Sequence, residues 1–223
     1  MTPANIAQFF LRGEHDVASV FAAIEKCITP GLRPGRALDF GCGVGRLVIP
    51  MSRLCGQVVG VDVSDAMLAE SRKNAERADV TNAEFVKGDD ALSKVQGKFD
   101  FVHSYIVLQH IPVARGEAIT RRLLELLEPG GVGALHYTYA TGLGPKSRTL
   151  LWARMKVPFA NPVLNMMLGR KPSAPVMQLN NYSMDRILGI LQDAGCTEVH
   201  TILTDHQGNR GGMLLFRKPS APK

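Results

Sequence analysis

The apolar positions of this chain change period several times. Runs in which nearly every residue is apolar alternate with stretches in which apolar residues recur every three or four. RALDFG (36–41), QVVGVDV (57–63), AEFVKG (83–88), KFDFVHS (98–104) and GVGALHYTY (131–139) read as strands. GRLVIPMSRL (45–54), SDAMLAESRKNAERA (64–78) and ARGEAITRRLLELL (114–127) carry helical spacing. A further helical segment at about 4–28, which includes FAAIEKCI, ends at the breaker GLRPG. The Ser64 side chain can cap the second of the three helices. Pro50 predicts a kink in the first, because it gives up one backbone donor. Alternating βα units of this length indicate a parallel sheet with helices on both faces.

The last part of the chain has another rhythm. YSMDRILGILQDAG (182–195) is a helix, with Ser183 as N-cap and Gly195 as stop. TEVHTILTD (197–205) and GGMLLFRK (211–218) are strands joined by HQGNR, a link short enough only for an antiparallel pair. The expected fold class is α/β, with seven strands, mostly parallel, and an antiparallel last strand.

Composition narrows the function classes. The chain has 223 residues, 45% apolar and 21% charged, which suits one soluble domain over 1–223. The N-terminus has no basic region followed by an apolar one, so no signal peptide is read. No uncharged apolar run reaches the ~18 residues of a membrane span. Cys27, Cys42, Cys55 and Cys196 have no CxxC spacing, so no metal site or disulfide framework is expected, and a cytoplasmic location fits.

The net charge of +6 is local. Between Pro129 and Met184 there is no acidic residue, while Lys146, Arg148, Arg154, Lys156, Arg170 and Lys171 give six positive charges. The remainder balances at 20 basic against 20 acidic residues. A nucleic-acid partner is therefore disfavoured, since the basic character belongs to one segment. That segment lies in a lid-like insert at about 141–181, read as two short helices, Ser147–Lys156 and Pro162–Leu168, broken by VPFANP. Trp152, Met155, Phe159, Met166 and Met167 are expected to pack inward. The insert suits a cap over a small-molecule substrate; peripheral membrane contact, RNA contact through phosphates and a merely solvated face are the alternatives. The oligomeric state is left open.

Candidate chemistry begins at Asp39-Phe40-Gly41-Cys42-Gly43-Val44-Gly45-Arg46. A glycine turn between strand and helix lets backbone approach a ligand and presents unpaired N–H groups. The dinucleotide fingerprint G-x-G-x-x-G requires glycine at 46, where this chain has Arg46. Asp39 would repel a pyrophosphate, but it suits a cationic amino-acid end, met directly or through water.

Asp39-x-Gly41-x-Gly43-x-Gly45 resembles motif I of the class I S-adenosylmethionine-dependent methyltransferases. The later motifs follow in order: VVGVDVSDAML, FVKGDD, FDFVHSYIVLQHIP and LLELLEPGGVGALHY. The resemblance implies a Rossmann-like doubly wound sheet and S-adenosylmethionine as cofactor, leaving as S-adenosylhomocysteine. It implies that Asp62 holds the ribose hydroxyls and that Val63 and Met67 border the adenine. Asp89 would take the adenine amino group, Asp90 would offer its backbone N–H, and Ser104 its backbone carbonyl. The implied reaction is methyl transfer to an O, N or C atom of a small molecule. A lipid-like or membrane-borne acceptor, or a non-catalytic cofactor-binding module, are the alternatives.

An oxygen nucleophile that bears a proton needs a base. His110 follows the fourth strand at the mouth of the sheet and is the candidate, as base or as structural brace. Tyr105 is a second candidate at the methyl-transfer site, as a pocket wall. His103 reads as structural. Alternation sends only some of His136, Tyr137 and Tyr139 toward the mouth. His200 and His206 receive no role.

Overall fold

Strands fully covered on both faces need apolar residues at successive positions, and the first, second and fourth strands have them. In the computed structural model, β1 (Arg36–Phe40), β2 (Gln57–Asp62), β3 (Ala83–Lys87), β4 (Phe99–Ser104) and β5 (Leu127–Ala140) run parallel. β6 (Val199–His206) and β7 (Asn209–Arg217) complete a seven-stranded sheet in the order β3-β2-β1-β4-β5-β7-β6. Only β7 is antiparallel to its neighbours, β5 and β6. The expected Rossmann-like doubly wound sheet is thus observed. The structure describes residues 2–142, 144, 149–150, 153–154, 157, 160–167, 169, 172 and 178–220.

Residue parity sorts the core into two layers. Ala37, Phe101, Ala134 and Leu215 face one side, under Val17, Val20 and Ile24 of α1 (Pro3–Cys27). The same layer receives Val48 and Met51 of α2 (Val48–Ser52) and Leu68 and Ala75 of α3 (Asp65–Arg77). Leu38, Val102, Leu135, Tyr137 and Leu214 face the other side. There they meet Ile119 and Leu123 of α4 (Val113–Leu126) and Ile187 and Leu191 of α6 (Met184–Asp193). A large apolar side chain so enclosed contributes about 1.5–3 kcal/mol relative to exposure.

Several local expectations change. The helix containing Pro50 is one short turn, Val48–Ser52. Pro50 sits in its first turn, where its missing N–H has no partner to lose, so no kink arises. Ser64 caps α3 as expected, its Oγ accepting from the Met67 N–H at 3.3 Å. Ser183 occupies the N-cap of α6 but makes no such bond; its hydroxyl turns to the Asp185 carboxylate. The link between β6 and β7 is only Gln207-Gly208, at φ +57° and +84°, the left-handed pair of a tight hairpin turn.

The first insert helix, like Trp152, Met155 and Phe159, lies largely outside the described residues. The second is α5 (Ala160–Met167). Met166 and Met167 do not pack inward: they are 62% and 79% exposed. The buried face of α5 carries Asn165, whose Oδ1 accepts from Arg154 at 2.8 Å. Among the described residues, no helix is long and apolar enough to cross a membrane.

Candidate active site

β1 pairs with β2 on one side and β4 on the other, and the chain departs in opposite directions from that point. Open α/β sheets place their ligand crevice there, beyond the carboxyl ends of the strands. A cavity of about 580 Å³ lies at this place. Gly41 and Gly43 form its floor, and Asp62, Val63 and Met67 one side. Asp89 and Asp90 stand opposite Ile106, Val107 and His110.

The glycine turn is fixed by backbone bonds to β2. The Gly41 and Cys42 N–H groups both donate to the Val61 carbonyl, at 2.7 and 3.0 Å. Gly41 has φ +77°, and a Cβ there would stand 2.4 Å from both Val107 methyls. Gly45, at the far end of the turn, packs over Ser71 and Phe85 and is not on the cavity wall. The Cys42 side chain is buried. Its thiol pKa is raised, first by burial and then by the charges of Asp39 and Asp62.

Asp62 ends β2 with its carboxylate held from two sides. Oδ2 accepts from the Gly43 N–H at 3.0 Å, and Oδ1 from the Ser64 N–H at 2.9 Å. Asp89 caps its own loop: Oδ1 accepts from the Ser93 N–H at 2.9 Å, and Oδ2 from the Ser93 hydroxyl. These bonds hold its carboxyl below the usual range, the Ser93 side chain first. The Asp90 side chain is engaged by Arg115 through two contacts of 2.6 Å.

The side chains of two expected cofactor residues stand behind the wall. Asp39 is 2% exposed, because parity turns it toward α1 with Ala37 rather than toward the cavity with Phe40. Its Oδ1 lies 2.8 Å from His103 Nδ1, and its Oδ2 has no hydrogen-bond partner. Ser104 is fully buried, its hydroxyl donating to the Phe40 carbonyl at 3.0 Å. The cavity is lined instead by Ile106 and Val107, two and three residues further on. Ile106 has φ +59°, an outlying conformation for a β-branched residue.

His110 is on the wall with both ring nitrogens engaged. Nδ1 lies 2.8 Å from the Gln178 carbonyl, which only accepts, so Nδ1 carries the proton. Nε2 then accepts from the Gln109 side-chain amide at 3.2 Å. Gln109 Oε1 in turn accepts from the Thr138 hydroxyl at 2.5 Å. This network ties the turn after β4 to β5 and to the segment before α6.

Tyr105 points to the α1 side of the sheet, away from the glycine floor. Its ring centroid is 5.3 Å from that of His136 and 5.7 Å from that of His206. Sequence reasoning missed this cluster, because its members are far apart in the chain. Tyr137, one residue on from His136, faces the opposite layer, where its hydroxyl lies 2.9 Å from Thr120 Oγ1. His136 Nε2 lies 2.8 Å from Thr204 Oγ1, and the buried Nδ1 has no partner. Burial, then His206 and His103, lower the His136 pKa from 6.5 to about 4.

That shift predicts a pH effect. Between about pH 6.5 and 4 the unfolded chain protonates this imidazole and the folded one does not. Stability from this group is therefore complete above pH 6.5 and falls as the pH drops toward 4. Urea unfolding of His136→Gln should show a shallower loss of stability over this window than the parent chain.

Residues 37–131 match a family model described as a methyltransferase domain. The ubiquinone biosynthesis O-methyltransferase of Acinetobacter baumannii (strain AYE) is 31% identical over 120 residues, covering 52% of this chain and 48% of that protein. The protein of the same name from Ruegeria pomeroyi is 36% identical over 97 residues, covering 44% and 38%. The chain thus spans about half the length, or less, of the curated relatives it matches. Among solved structures, the magnesium protoporphyrin IX methyltransferase of Synechocystis PCC 6803 with bound S-adenosylhomocysteine superposes with a TM-score of 0.66. It is 24% identical, over 96% of this chain and 87% of that one. The N-methyltransferase NodS of Bradyrhizobium japonicum WM9 gives a TM-score of 0.62 at 14% identity, over 95% and 88%. The glycine turn and the strand-end acids lie within the residues that match the methyltransferase domain, and the sheet around them is similar in fold to these solved structures.

Proposed function

We propose that this protein is an S-adenosylmethionine-dependent methyltransferase whose acceptor is a small molecule offering an oxygen atom. The observation that carries the reading is the Asp62 carboxylate on the cavity wall. Each of its oxygens is fixed by one backbone N–H, and each keeps a lone pair for one of two neighbouring hydroxyls. The oxygen acceptor is supported by the O-methyltransferase names of the relatives.

The residues fit the cofactor. The cavity volume of about 580 Å³ lies in the range of small-molecule sites. Val63 and Met67 give a partly exposed apolar edge for the adenine, with Asp89 beside them for its amino group. The unpartnered Asp39 Oδ2, buried behind the glycine turn, suits an ammonium group reached through water. When bound, S-adenosylmethionine supplies an electrophilic sulfonium methyl. The chain's own part is to orient the partners, which is worth up to about 7–11 kcal/mol in favourable cases. His110 acts as a brace in this reading, since both its nitrogens are spent on holding the turn. A lipid-like acceptor is a second reading, favoured by the exposed Met166 and Met167 on α5.

The test uses methyl-labelled S-adenosylmethionine and lysate separated into small-molecule, lipid, RNA and protein fractions. Label is expected in the small-molecule fraction. Asp62→Ala should abolish it and weaken S-adenosylhomocysteine binding by roughly 100-fold, as for the loss of charge-assisted hydrogen bonds of about 1.5–3 kcal/mol each. Label in the lipid fraction would favour the second reading. Cofactor binding with no label anywhere would point to a binding module, and absence of cofactor binding would remove the proposal.

A further inference from the structure

A row of polar side chains lies on the α1 face of the sheet, and none of them lines the cofactor cavity directly. Asp39, His103, Tyr105, His136, Thr204 and His206 follow one another across β1, β4, β5 and β6, on a face otherwise filled by residues such as Val17, Phe101 and Met213. Burying such groups is costly unless they are partnered, yet His136 Nδ1 and Asp39 Oδ2 are not. β6 runs parallel to β1–β5, so its carboxyl end brings His206 to the same edge as Tyr105. A cavity of about 380 Å³ lies there, bounded by Phe9 of α1, Arg46, Tyr105, Ile106 and His206. Ile106 is also a wall of the cofactor cavity, so the two spaces adjoin at that residue.

We propose that this second cavity takes the acceptor as a flat hydroxylated ring, and that His206 is the catalytic base that receives the hydroxyl proton. The inference rests on the methyltransferase reading above and deepens it. Phe9 and Tyr105 give the cavity aromatic walls. The Arg46 guanidinium lies 5.3 Å from the Phe9 ring and 2.5 Å from Asp16, a fixed cation beside an electron-rich ligand. Tyr105 Oη is 3.4 Å from His206 Nε2, a long contact that an entering hydroxyl can replace. That hydroxyl would donate to His206 Nε2 and accept from Tyr105.

The neighbours divide the roles. Burial raises the Tyr105 pKa, so the phenol stays protonated and donates. His136, its pKa lowered, stays neutral and anchors Thr204. The other charged or titratable groups facing this space are His15 and Asp16 of α1 and Arg46 after the glycine turn, with Arg12 at the rim. Asp205 and Arg210 stand opposite each other in the strand register of the adjoining hairpin, and Asp205 Oδ1 accepts from the Gly208 N–H at 2.6 Å. In the transfer the acceptor oxygen forms its bond to the methyl carbon as the bond from sulfur to that carbon breaks. Sulfur keeps the electron pair and loses its positive charge. The hydroxyl proton goes to His206 Nε2 and from there to water, because His206 is half-buried at the rim.

The probe is 4-nitrophenol, whose anion is yellow, titrated into the full chain with S-adenosylhomocysteine at mildly acidic pH. A saturable nitrophenolate signal is expected in the parent chain, with affinity lowered about tenfold or more in His206→Gln and less in Tyr105→Phe. S-adenosylhomocysteine binding by calorimetry should stay within about twofold in both variants, which also shows that they are folded. No saturable signal in the parent chain, or an unchanged one in His206→Gln, overturns the proposal. Loss of S-adenosylhomocysteine binding by the parent chain would instead remove the reading on which it rests. If His206→Gln loses that binding, His206→Asn is judged by the same two measurements.

Discussion

Gly41→Ala should lower S-adenosylhomocysteine affinity by roughly 100-fold or more and reduce thermal stability at the same time. Two separate causes act at this one position. At φ +77° any side chain carries the left-handed penalty of about 1–2 kcal/mol. The added methyl would also meet Val107 Cγ1 and Cγ2 at 2.4 Å and Val107 Cβ at 2.9 Å. Val107 belongs to the cavity wall, so relief by moving Val107 displaces the wall. Relief by turning the Gly41 peptide sacrifices the 2.7 Å bond to the Val61 carbonyl. The second route also deforms the turn whose Gly43 N–H holds Asp62. Gly43→Ala is the internal control. It too has positive φ, at +54°, but a Cβ there meets nothing within 4 Å, so its effect on stability should be the smaller. Calorimetry and thermal melting check both variants. Affinity near the parent value in Gly41→Ala would show that this wall does not contact the cofactor.

Gly116→Ala should cost about 2–4 kcal/mol in urea unfolding, though it lies outside the cavity. A Cβ on Gly116 would fall 1.8 Å from the Tyr182 hydroxyl oxygen and 2.7 Å from Cζ. Tyr182 is buried between α4 and α6, and its hydroxyl faces the Leu108 and Ile111 carbonyls at 3.0 and 2.9 Å. Moving Tyr182 breaks the bond its single O–H shares between these carbonyls, at a cost of about 1–3 kcal/mol, although the Leu108 carbonyl keeps the Ile111 N–H at 2.8 Å. Moving α4 instead opens the layer containing Ile119, Leu123 and Ile187. Tyr182→Phe in the same chain should restore only part of the loss, since it removes the closest atom but also the hydrogen bond that the hydroxyl donates to these carbonyls. Because those carbonyls flank His110, S-adenosylhomocysteine affinity should fall along with stability. A loss below about 1 kcal/mol would mean that the two helices are free to separate here.

What the sequence made legible was local. Alternating periods gave the strands in order, and the spacing of Asp39, Gly41, Gly43 and Gly45 located the turn. Asp62 and Asp89 stand at strand ends on the cavity wall because such positions follow directly from where a strand stops. Parity was harder to use. Asp39 and Phe40 are adjacent, yet only Phe40 faces the cavity, and Ser104 is turned inward where Ile106 and Val107 are not. A strand pattern covered by apolar residues on both faces has no polar side to reveal which face is which. Contacts across the sheet were out of reach. Asp39 meets His103 64 residues away, and Tyr105 meets His206 101 residues away. The second contact depends on β7 inserting between β5 and β6, which no spacing in the chain records.

The buried thiol of the glycine turn has a chemical consequence. A cysteine beside a cavity built for an alkylating cofactor is a hazard, since a thiolate is a far better nucleophile than a thiol. Cys42 occupies that position. Burial, and the negative charges of Asp39 and Asp62 on either side, hold its proton on. The same carboxylates that suit a cationic ligand thereby protect the turn from methylating itself.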